Sequence, residues 1–139
     1  MTMEHRTTVF YVDDNPKSSR VLTAVLEACG FRVIAMQDPV EAMELCKRTS
    51  FDLALLDYEM PGLTGSQLAQ EIKFMVPDAP VVLISGYAAL PATELVFVDA
   101  HFGLGTSLDD LLWTMRTLAG VIVPPGSMHH VVGQRADST

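Results

Sequence analysis

The chain has 139 residues, 49% of them hydrophobic, and a formal net charge of −8 with a pI near 4.7. That length suits one domain with a substantial core rather than two. Only 9 Lys and Arg are present and they are scattered, which argues against a nucleic-acid partner and favours a cation or a basic protein.

No apolar run approaches the roughly 20 residues of a membrane span, and the N-terminus lacks a signal-peptide core, so a cytoplasmic protein without a membrane partner is expected. Cys29 and Cys46 fall on different predicted helices and make no metal-ligand pattern, so they read as small core residues in a reducing compartment.

Strand and helix signals then alternate along the chain. Thr8-Val9-Phe10-Tyr11-Val12 is β-branched and aromatic, and it runs into Asp13-Asp14-Asn15-Pro16, where Asn15 can cap a helix that has Pro16 at its first position. Val21, Leu22, Val25, Leu26 and Cys29 recur at spacings of three and four up to Gly30, and the short strand Arg32–Met36 follows. Asp38-Pro39-Val40-Glu41 has the form of a capping box and opens a second helix, with an apolar stripe of Ala42, Met43, Leu45 and Cys46. Phe51 to Leu56 is almost continuously apolar, stops at Asp57, and is closed by Pro61-Gly62, the pattern of a strand covered on both faces. Thr64-Gly65-Ser66-Gln67 starts a third helix with Leu68, Ala69, Ile72 and Met75 on one face.

Pro80–Ile84 reads as a fourth strand ended by Ser85-Gly86. A short fourth helix is expected between Tyr87 and Asp99, starting near Pro91, before the strand Ala100-His101-Phe102. Ser107 caps a last helix with Leu108, Leu111, Leu112, Met115 and Leu118 on its buried side, and Gly120 ends it. The expected fold class is therefore α/β, five βα units wound into a doubly wound five-stranded parallel sheet. Residues 1–120 form this domain. Residues 121–139 are expected to be a partly mobile tail with no output domain after it, in which Val121-Ile122-Val123 packs back on the domain and Pro124-Pro125 blocks continuation of the helix.

A doubly wound sheet brings strand ends to one rim, where ligands bind, and here those ends carry Asp13, Asp14, Asp57 and Ser85. Each could be a separate turn or helix cap. Three carboxylates in one place repel each other, however, and are tolerable only with a bound cation or a shared proton. Ligand atoms that are all hard oxygens suit Mg2+ and not zinc. A carboxylate, a divalent ion and a hydroxyl able to donate to a phosphoryl oxygen are the parts needed to form an aspartyl phosphate.

Phe10-Tyr11-Val12-Asp13-Asp14-Asn15, then Leu55-Leu56-Asp57-Tyr58-Glu59-Met60-Pro61-Gly62-Leu63-Thr64-Gly65, then Val82-Leu83-Ile84-Ser85-Gly86, resembles the receiver domain of two-component response regulators, a flavodoxin-like (βα)5 fold. The resemblance spans about Thr8 to Leu118. It implies that Asp57 accepts phosphoryl from a histidine kinase or phosphotransfer protein. It also implies that Asp14 and Asp57 hold Mg2+, with Asp13 acting partly through water and the backbone carbonyl of Glu59 completing the protein ligands, and that Ser85 is the switch hydroxyl. The downstream partner is an unknown protein, and a homodimer is compatible with the resemblance.

Two positions depart from the family pattern. The lysine expected after the fifth strand is replaced by Leu104, and no Lys or Arg occurs between Val76 and Met115 to substitute for it. The switch aromatic is His101, which reads as a surface or partly buried aromatic substitute and not as a metal ligand. Three function classes follow: a non-enzymatic phosphoacceptor that signals by protein contact, a degenerate receiver that binds a partner without phosphorylation, and an Asp-nucleophile phosphatase. Chain order counts against the phosphatase, since Asp57 is followed by Glu59 where a second Asp would be needed and the lysine is absent.

Overall fold

The apolar runs form strands β1 (Thr8–Val12), β2 (Arg32–Met36), β3 (Leu53–Asp57), β4 (Val81–Ile84) and β5 (Ala100–Phe102), each parallel to its neighbours in the order β2-β1-β3-β4-β5. The computed structural model describes residues 6–120, so the expected tail at 121–139 lies outside the described residues. Alternation along the strands builds two cores. Phe10, Val12, Ala54, Leu56, Val81 and Leu83 face one way with Leu68 and Ile72; Val9, Tyr11, Leu53, Leu55, Val82 and Phe102 face the other with Leu26, Leu112 and Met115. Burying both faces explains why the central strands read as unbroken apolar runs, each large side chain contributing about 1.5–3 kcal/mol.

Helices α1 (Pro16–Ala28), α2 (Pro39–Cys46), α3 (Gly65–Met75) and α4 (Leu108–Leu118) start where their caps indicate. Asn15 accepts from Lys17 and Ser18 N–H, Asp38 from Val40 N–H and Ser107 from Asp110 N–H, while Thr64 and Gln67 complete a reciprocal capping box. Cys46 is buried and Cys29 half-buried, both as free thiols.

The expected fourth helix between β4 and β5 does not form. Only a single 3-10 turn, Ala92–Leu95, is present, and Pro91 precedes it with no side-chain cap. Leu90, Leu95 and Val98 are the inward residues of this segment, and Val96 and Phe97 are left exposed. Hydrogen bonds from Asp99 N–H to Val81 O and from Ser66 Oγ to Glu94 O hold the segment against the sheet and α3 instead. Among the described residues the architecture is therefore the five-stranded parallel sheet with four α-helices.

Candidate functional site

Strand register sets the site. Val12 pairs with Leu56, so Asp13 and Asp57 leave the two adjacent strands at the same level. Asp57 pairs in turn with Ile84, which places Ser85 one step beyond it. Gly65 allows α3 to start tight against this rim, because a Cβ there would run into the Asp57 carbonyl oxygen and lie 2.6 Å from Leu83 Cδ1. Asp13, Asp14, Asn15, Ser18, Asp57, Glu59 and Ser85 line a cleft of about 490 Å3. One carboxylate oxygen from each of Asp13, Asp14 and Asp57 lies within 4.8 Å of the others.

Each acid is held differently. Asp13 is only 4% exposed and accepts from the Tyr11 hydroxyl at 2.6 Å and from Asn15 N–H at 3.0 Å. Burial, then the bond and charge of Asp13, push the Tyr11 phenol far up, so Tyr11 remains a donor. The Asp57 carboxyl is pushed up to about 7 by burial first and by the charges of Asp13 and Asp14 next, with Glu59 N–H partly offsetting the rise. Without a cation the cluster thus keeps a proton near neutrality. Among the described residues, no Lys or Arg lines the cleft. Hard oxygen donors and uncompensated negative charge fit a Mg2+ ion.

Glu59 lies on the rim with its carboxylate accepting from the Tyr87 hydroxyl at 3.1 Å. Tyr58 donates to Glu94 at 3.0 Å, and the Tyr58 and Tyr87 rings meet edge to face at 6.2 Å, which ties the loops after β3 and β4 together. Ser85 Oγ sits 2.7 Å from His101 Nε2, accepts from Tyr87 N–H at 3.2 Å and donates to Tyr87 O at 3.1 Å.

His101 corrects the expectation of a surface or partly buried residue. It is 1% exposed, because register with Leu83 puts it on the opposite face of β5 from Ala100 and Phe102 and inside the sheet layer. Leu104 is 75% exposed, and its N–H donates to Tyr87 O, so the leucine at the expected lysine position contributes no core contact. Sequence reasoning missed the Tyr11–Asp13 bond, although alternation places residues 11 and 13 on one face of β1. It also missed the Tyr87–Glu59 bond, for which no sequence signal existed.

Comparison with known proteins follows the same lines. The family model for the response regulator receiver domain matches residues 9–101. The chain is 32% identical to the transcriptional regulatory protein CseB of Streptomyces avermitilis over 78% of its length and 43% of the relative's. It is 30% identical to the transcriptional regulatory protein ZraR of Klebsiella oxytoca over 59% of its length and 18% of the relative's, so it spans less than half of each of these curated relatives. Among solved structures, the response regulator TrrA of Thermotoga maritima in complex with Mg2+-BeF aligns with a TM-score of 0.75 at 26% identity, covering 81% of this chain and 98% of that one. TrrA in its complex with the histidine kinase ThkA aligns with a TM-score of 0.74 at 26% identity, covering 81% and 97%.

Proposed function

The chain belongs to the response regulator receiver domain family, and on that premise we propose that it accepts a phosphoryl group on Asp57 from a histidine kinase or phosphotransfer protein, with Mg2+ bound, in the cytoplasm. The observation that carries the proposal is the convergence of Asp13, Asp14, Asp57 and Ser85 on one cleft. In the transfer, an Asp57 carboxylate oxygen forms the new bond to phosphorus. The bond from phosphorus to the donor imidazole nitrogen breaks, and its electron pair stays on that nitrogen. Asp14, Asp57 and the Glu59 backbone carbonyl would hold Mg2+, with Asp13 acting partly through water. When bound, the ion supplies positive charge to the carboxylates and to the transferring phosphoryl oxygens.

Ser85 donates its hydroxyl to one phosphoryl oxygen in this scheme, and the Asp57 rise to about 7 means that the nucleophile is fully ionised at neutral pH only once a cation is present. The output in this scheme is contact with a downstream protein.

Beryllium fluoride tests the phosphoryl pocket without chemistry. Beryllium fluoride and Mg2+ together are expected to raise the melting temperature by more than the sum of their separate effects, because the mimic needs both Asp57 and the neutralising ion. No joint shift, under conditions that shift an ordinary receiver, would favour the second reading, a partner-binding module that works without phosphorylation. The exposed Leu104 and a cleft lined by no basic side chain among the described residues are the observations on that side.

A further inference from the structure

We propose that His101 is a positioning residue for Ser85, and that its Nε2–H fixes the hydroxyl so that its one proton is free for the group on Asp57. The inference rests on the phosphoacceptor reading above and extends it to a residue which that reading leaves without a role.

A serine hydroxyl has one proton and two lone pairs. Ser85 Oγ has three neighbours: Tyr87 N–H at 3.2 Å, Tyr87 O at 3.1 Å and His101 Nε2 at 2.7 Å. Tyr87 N–H can only donate and Tyr87 O can only accept. With the serine proton directed at Tyr87 O, the short contact to Nε2 is a bond only if the imidazole brings its own proton. Two donors then fill both lone pairs, and the hydroxyl can act solely as a donor.

The proton is also easily redirected. Tyr87 O accepts a second bond from Leu104 N–H at 3.2 Å, so it keeps a partner when Ser85 turns its proton toward a phosphoryl oxygen. Ser85 and Asp57 line the same cleft, and His101 itself does not. Its buried place in β5, directly in register with Leu83, gives the imidazole little room to swing away, so Ser85 is anchored from the sheet. A phenylalanine at this position would keep a ring and lose the anchor; a glutamine would keep an N–H near the place of Nε2.

The test is the rate at which acetyl phosphate with Mg2+ labels Asp57 in the wild type, His101→Phe, His101→Gln, Ser85→Ala and the double variant Ser85→Ala/His101→Phe, each first confirmed folded by its thermal transition. Losing one oriented hydrogen bond at the transferring group corresponds to about tenfold in rate. His101→Phe is expected to slow labelling about tenfold, His101→Gln to restore most of it, and the double variant to be no slower than Ser85→Ala, because both substitutions remove the same interaction. Long-range 1H–15N spectra of the wild type should show the proton on Nε2. Labelling of His101→Phe at the wild-type rate, full additivity in the double variant, or an imidazole protonated only on Nδ1 would each overturn the inference while leaving the phosphoacceptor reading in place. A wild type that takes no label at all would overturn both.

Discussion

Asp57→Asn is expected to stabilise the metal-free protein at about pH 8 and to flatten its dependence on pH. In the folded chain the Asp57 carboxyl is raised from 3.8 to about 7, first by burial and then by Asp13 and Asp14. Between those two values the folded state holds a proton that the unfolded state has released. Stability therefore falls as pH rises through that window, and the loss is complete above about 7, the reverse of an ordinary salt-bridged aspartate. Asp57 is only half-buried and solvent screens part of the repulsion, so the penalty is roughly 1–2 kcal/mol and not the whole shift at 1.36 kcal/mol per pH unit. Asparagine keeps an oxygen for Glu59 N–H and gives up the charge. Urea unfolding in a chelator across this range measures the effect; a variant as pH-sensitive as the wild type would place the strain on other groups.

Mg2+ is expected to have the larger effect on the wild type. An ion that binds only the folded cleft stabilises by about 2.7 kcal/mol at one hundred times its dissociation constant. Its affinity should fall as pH drops below about 7, because metal and proton compete for Asp57. Leu104→Lys probes the same electrostatics from the protein side. Leu104 is 75% exposed, so the substitution removes no core contact, and a lysine stem long enough to approach the cluster would offset part of its charge. The variant is expected to be more stable without metal by up to about 1 kcal/mol and to respond less to Mg2+. Thermal melts with and without the ion decide this, and a less stable metal-free variant with an unchanged Mg2+ response would contradict the electrostatic account.

The sheet was legible because its strands are buried on both faces, which turns β1, β3 and β4 into apolar runs, and each run ends in residues that cannot continue it, Asp13, Asp57 and Ser85. Register then did what the sequence pattern implied, bringing those ends to one cleft. The helices were legible from their caps at Asn15, Asp38, Thr64 and Ser107. The segment between β4 and β5 was not, because its structure depends on Ser66 and Val81, residues distant in sequence, and not on a local repeat. His101 was misplaced for a related reason. All three residues of β5 are buried, and a three-residue strand is too short to show in sequence that both its faces are covered.

Intact-mass and peptide-level mass spectrometry after incubation with acetyl phosphate and Mg2+ tests the central claim most directly, because the proposal puts the phosphoryl group on Asp57 of the three-carboxylate cluster with a divalent ion bound. The expected result is one phosphoryl adduct, located on Asp57, not formed when the metal is chelated beforehand and absent from Asp57→Asn. No adduct under conditions that label an ordinary receiver, or an adduct that persists in Asp57→Asn, would contradict it.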